Sequence, residues 1–200
     1  MSSTTDLTAF VLLFPALDPD GATFYDVVPY FWMPEARVRE RSERDRVPYQ
    51  RWIDDGYITA TSGNVVDYDQ VRADIMALSE IYDIRELAKD RWNSTQIGTQ
   101  LMGDGLTVAD FGQGYASMTA PTKELERLLL DGKLRHGGNP VLRFNASVVA
   151  VEQDAAGNLK PSKSKSLARI DGITALCMAL GRAMVQDFGG SVYDQEEFLL

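Results

Sequence analysis

The chain has 200 residues, 44% of them hydrophobic and 24% charged, with 16 Gly and 8 Pro. This is enough for one full-sized core and excludes general disorder and fibrous architecture. Twenty basic against twenty-nine acidic side chains leave a net charge of -9, which argues against a broad electrostatic grip on nucleic acid, so any DNA contact must come from local basic clusters. One cysteine, Cys177, and one histidine, His136, provide neither an internal disulfide nor a Cys/His zinc set. The apolar run from Leu7 to Phe14 is too short to span a bilayer, so no membrane partner is expected and the cytoplasm is the expected compartment.

In chain order, Leu7 to Phe14 reads as a strand buried on both faces. Asp18-Pro19-Asp20-Gly21 is a turn, and Thr23 to Met33 resumes a β-branched and aromatic run, so residues 7–33 form an antiparallel pair in which Pro29 marks an edge or a bulge. Residues 34–56 carry an Arg-rich stretch with short helical pieces, and Tyr57 to Ala60 forms a short strand. The spacing of Val71, Ile75, Leu78 and Tyr82 behind an Asp67/Gln70 capping box predicts a helix over 67–82. Ile84 to Lys89 is a strand ending at Asp90, a second capping box at Asn93/Gln96 opens a helix to about Met102, and Leu106 to Phe111 is the next strand.

Pro121 is placed in the first turn of a helix that Gly132 ends. His136 to Pro140 is a loop, Val148 to Val151 a strand and residues 154–158 a hairpin tip. Ser166 to Gln186 forms a helix with Ile170, Ile173, Cys177, Leu180 and Met184 on one stripe, and an acidic tail follows Gly189-Gly190. Strand-helix-strand alternation beside an antiparallel pair gives an α/β domain with a mixed β-sheet flanked by helices.

No serine triad or Cys/His pair is available for covalent catalysis, which leaves carboxylates. Asp90 closes a strand just ahead of a capped helix, the position where α/β sheets hold ligands. Asp171 lies in the early turns of the last helix beside Gly172, and Asp6 stands at the mouth of the first strand. Converging, the three would make an all-oxygen site suited to Mg²⁺ or Mn²⁺. Taken singly, each fits a cap or a surface charge equally well.

The segments DYDQVRADIMALSEIYDIRELAKDRWNSTQIGTQLMGDG and YASMTAPTKELERLLLDGKLRHGGNPVLRFNASVVAVEQDAAGNLKPSKSKSLARIDGITALCMALGRA resemble the nuclease half of the large terminase subunit of tailed bacteriophages. The resemblance runs from SSTTDLTA to about Ala183. It implies a ribonuclease-H-like fold over residues 1–187 with an acidic tail at 188–200, and a two-metal endonuclease that cuts concatemeric double-stranded DNA in the host cytoplasm during capsid filling. Asp90 in KDRWNSTQ and Asp171 in RIDGI match the family's middle and last catalytic carboxylates. Asp6 resembles an auxiliary acid, and the leading catalytic Asp would fall immediately before Met1. Lys160, Lys163, Lys165 and Arg169 are the first expected phosphate contacts, and Lys133, Arg135 and His136 the second.

No phosphate-binding Gly-Lys-Ser/Thr loop is present, so the ATPase motor of the family would be a partner, together with the small terminase subunit and the capsid portal. The isolated chain is expected to be a monomer. The competing readings are an impaired module that docks DNA or the portal without cutting, and a different ribonuclease-H-like enzyme such as a junction resolvase.

Overall fold

The computed structural model describes residues 7–91 and 95–186. Its longest ladder is antiparallel, β1 (Thr8–Leu17) on β2 (Thr23–Pro34), in register from Thr8↔Trp32 to Leu17↔Thr23. The turn between them is held by Asp18, whose carboxylate accepts the backbone N–H groups of Asp20 and Ala22. The far side of β2 pairs in parallel with β3 (Thr59–Thr61) at one end and with β6 (Leu134–Arg135) at the other. Pro29 falls between those two pairings, so a proline is accommodated inside a strand that is otherwise flanked on both sides.

The Arg-rich stretch folds as a 3-10 turn, α1 (Val38–Asp45) and α2 (Tyr49–Asp54). Helix α3 (Tyr68–Ile81) starts where expected, with the Asp67 carboxylate accepting from the N–H groups of Asp69 and Gln70. The Gln70 side chain donates to Asp74 instead of returning to the cap. Strand β4 (Leu87–Asp90), α4 (Thr95–Gly103) and β5 (Val108–Phe111) form a parallel unit. The expected cap at Asn93 lies outside the described residues.

Three expectations are corrected. Helix α5 (Tyr115–Leu130) contains Pro121 in its interior. The Thr119 and Thr122 hydroxyls bond the carbonyls of Tyr115 and Met118 around the break, and Pro121 is buried, so tertiary packing overrides the usual helix-breaking effect. Residues 140–148, Pro140–Val148, are a helix, α6, capped by Asn139, and the strand expected at 148–151 starts at β7 (Val151–Gln153), which pairs with β8 (Leu159–Pro161). The last helix, α7 (Asp171–Ala183), begins five residues later than its pattern suggests, because Ser166 is engaged elsewhere: its hydroxyl donates to the Ser162 carbonyl and accepts from the Ala150 N–H.

One packed cluster joins β1, β2, α5, α6 and α7 around Phe31, Leu128, Leu176 and Leu180. A second sits under α3 and α4 around Trp32, Val71 and Leu101. The β4–β5 pair shares no hydrogen-bonded ladder with β1–β2 among the described residues. Strand β1 is accordingly half-buried along much of its length, with only Val11 and Leu12 buried within it, where its apolar run predicts burial on both faces. Among the described residues no helix is long and apolar enough to cross a membrane.

Candidate active site

Asp90 is the last residue of β4, opposite Phe111 of β5, and the Arg91 N–H continues the ladder to the Phe111 carbonyl at 3.2 Å. The neighbouring Lys89 is ion-paired with Asp110 on the adjacent strand. Asp171 is the first residue of α7. That helix start is fixed from outside its own element: the side-chain oxygen of Asn145, on α6 and 1% exposed, accepts the Gly172 N–H at 2.8 Å. A Cβ at residue 172 would stand 2.9 Å from the Phe31 ring and 3.0 Å from the Asn145 oxygen, so only glycine permits this approach.

Asp90 and Asp171 line one cleft of about 590 Å³, whose walls come from β1, β4, α3 and α7. Lys163, just after β8, also reaches it and donates to the Asp171 carboxylate at 2.7 Å. Asp171 therefore has an ammonium on one side and helix N–H groups on the other, both of which favour its charged form. Gln113 adds a polar group, its amide contacting the Met178 sulfur at 3.8 Å. Asp6 lies outside the described residues. Among the described residues no group of three Asp, Glu, His or Cys side chains comes together as a metal cluster. The donors at the cleft are two carboxylates, a hard oxygen set of the kind that holds Mg²⁺ through one or two acids with water and phosphate completing the shell.

The expected basic contacts separate into two locations. Lys160 pairs with Glu152 at 3.0 Å and lies 4.9 Å from the Tyr115 ring, and Lys165 pairs with the same Glu152 at 3.5 Å. The Glu152 carboxyl is held below the usual carboxylate range, first by the hydrogen bond from Lys160. Arg169 lies near Tyr49, whose phenol is pushed up chiefly by burial. Of these four only Lys163 lines the cleft. Lys133, Arg135 and His136 sit where β6 meets Tyr25 and Asp26, and none of the three lines it. Lys133 is paired with Asp18, and Arg135 grips Asp26 through two bonds of 2.7 Å while covering the Phe24 ring.

Asn145 is the residue that sequence reasoning missed. Its signal was a polar side chain in register with buried Val141 and Leu142 on α6, since a polar group on an apolar stripe needs a buried partner.

A family profile described as the terminase large subunit, endonuclease domain, matches residues 1–187. The chain is 40% identical over 198 residues to the large terminase subunit of Enterobacteria phage HK97, covering 97% of this chain and 38% of that protein. It is 32% identical to the protein YmfN of Escherichia coli K12, covering 89% of this chain and 41% of the relative. The crystal structure of the HK97 large terminase superposes with a TM-score of 0.81 at 40% identity, over 90% of this chain and 37% of that one. The chain thus spans about two fifths of the length of the curated relatives it matches. A mixed α/β fold of the ribonuclease-H-like kind, an acid-lined cleft and a family match over nearly the whole chain agree: the chain belongs to the endonuclease domain family of phage terminase large subunits.

Proposed function

We propose that the chain is a metal-dependent endonuclease module that hydrolyses phosphodiester bonds of concatemeric double-stranded DNA during phage genome packaging. The observation that carries this reading is the meeting of Asp90 and Asp171, 81 positions apart in sequence, at one cleft. Their carboxylates would hold Mg²⁺ or Mn²⁺, with Asp6 as a third donor, and a bound ion supplies activation of water and charge stabilisation at the phosphate. Lys163 neutralises Asp171 in the ion-free chain, and its ammonium lies within reach of a phosphate bound at the same place. Lys160, Lys165 and Arg169 would line the DNA approach, with Lys133, Arg135 and His136 as more distant backbone contacts. Partners would be DNA, the ATPase motor, the small subunit and the portal, and the working compartment the host cytoplasm.

The test is plasmid cleavage with Mn²⁺ by the parent chain, Asp90→Asn and Asp171→Ala. Cutting by the parent and a loss of at least about a hundredfold in each variant is expected for groups holding a catalytic ion. Equal cutting by all three refutes the site. The presence of only two cleft acids among the described residues favours a second reading, a docking module that binds DNA or the portal without cutting. That reading predicts DNA retention with no cleavage by the parent at any Mn²⁺ concentration.

A further inference from the structure

We propose that the cleft between β1 and β4 is a strand-acceptor slot, filled by one extended peptide segment that is apolar on both faces and pairs with the two strands at once.

Four observations support this, and none depends on the nuclease reading. Among the described residues β1 is hydrogen-bonded only to β2, and β4 only to β5. The other edges of both strands line the same cleft, over Leu7 to Pro15 on one side and Ile84 to Asp90 on the other. An isolated strand edge presents a row of unmet N–H and C=O groups, and only another strand answers two such rows facing one another.

The direction also fits. The Phe14 ring stacks near that of Tyr82, just ahead of β4, with centroids 5.1 Å apart. The end of β1 therefore meets the approach to β4, and the two strands run oppositely along the cleft. A segment antiparallel to β1 is then parallel to β4, matching the antiparallel β1–β2 and parallel β4–β5 ladders that flank it.

The chemistry of the occupant is set by the two faces of the cleft. On one face stand Thr174, Ala175 and Met178 of α7, continuous with the first packed cluster. On the other stand Trp32, Val71 and Ile75, part of the second. Side chains pointing alternately up and down from an inserted strand would meet an apolar layer each way, so the fitting sequence is a continuous apolar run rather than an alternating one. The exposure of β1 follows: a strand reading TAFVLLF is left half-buried because its neighbour on one side is an empty slot. Strand addition of this kind draws affinity from main-chain bonds and specificity from the side-chain pockets.

The experiment fuses a segment of about seven Ile, Val and Leu residues, long enough to run the length of β1 along the cleft, ahead of Met1 of the full chain. Fusion serves to raise its effective concentration. A second fusion carries proline at alternate positions, which keeps the apolar character but removes donors. Amide hydrogen exchange of residues 8–15 and 87–90 is measured with neither DNA nor metal present, so its failure is separate from any failure of cleavage. The expected result is exchange slowed at least about tenfold in both strands, with a Tm rise of about 5 °C, in the apolar fusion only and in a monomer. Unchanged exchange overturns the proposal. Equal slowing with the proline fusion overturns it by showing apolar adhesion without pairing. Slowing that depends on protein concentration, with a dimer present, assigns the cleft to a second copy and also overturns it.

Discussion

A polar side chain sealed in a core is costly unless it is bonded, and Asn145 is bonded where it matters for the site. Its oxygen takes a backbone donor from the first turn of α7, where the helix has no side-chain cap of its own. Asn145→Ala leaves the Gly172 N–H buried without that acceptor, at a cost of about 1–3 kcal/mol. In a chain of this size that is a fall in Tm of roughly 3–10 °C. Scanning calorimetry of the variant checks this, and an unchanged Tm would mean that another group replaces the acceptor. Asp171 is the adjacent residue, so the same variant loosens the carboxylate that faces Lys163.

Elements meet at the glycines of helix interiors, and two of these give opposite expectations for one substitution. Gly181 of α7 faces β5 and α5: a Cβ there would sit 2.6 Å from the Phe111 ring and 3.4 Å from Pro121. Phe111 is buried and cannot swing away, so overpacking of about 1–3 kcal/mol outweighs the gain of roughly 0.5–1 kcal/mol that alanine brings to a helix. Gly103, at the end of α4, has open space around the same position, so Gly103→Ala should be neutral or stabilising by a few tenths of a kcal/mol. Urea unfolding of the two variants separates them, and a stabilised Gly181→Ala would refute the packing argument. The same close approach explains what the sequence did and did not disclose. Periodicity located α3, α4 and the stripe on α7, since each buries one face against a neighbour. It misplaced the starts of α5 and α7, because those ends are decided by bonds from Thr119, Thr122 and Ser166 and by Asn145 across the core, which leave no local periodic trace. Asp90 and Asp171 were legible as acids at element ends. Their meeting at one cleft depends on how β4 and α7 pack, and Lys163 as the partner of Asp171 depends on the path after β8.

For the whole molecule, distant parts of the chain are tied by exposed ion pairs whose acids share one bias. Asp18 is held below the usual carboxylate range first by its hydrogen bond from Lys133, Asp26 by Arg135, Asp104 by Arg72 and Glu152 by Lys160. A carboxyl depressed in the folded state adds stability above its ordinary value, and that stability disappears as pH falls through the depressed one. At the alkaline end the sign reverses. The buried Cys177 thiol is pushed up to about 12, chiefly by burial, so its contribution is complete below the ordinary thiol value and is lost as pH rises toward the folded one. The net charge of -9 works against the acid loss at first, because protonating unpaired acids relieves self-repulsion. Tm measured against pH should therefore hold a plateau from about pH 5 to 8, fall below about pH 4 as the paired acids titrate, and fall again above about pH 9. High salt should flatten the acid limb, where the pairs are exposed and screened, and leave the alkaline limb, which comes from a buried thiol, in place. A thiol reagent offers an independent reading of the same burial: Cys177 should remain unlabelled at neutral pH until the chain unfolds, with labelling and the loss of tertiary signal sharing one midpoint in urea. Rapid labelling of the folded chain would show that α7 opens locally and would remove the physical basis for the alkaline limb.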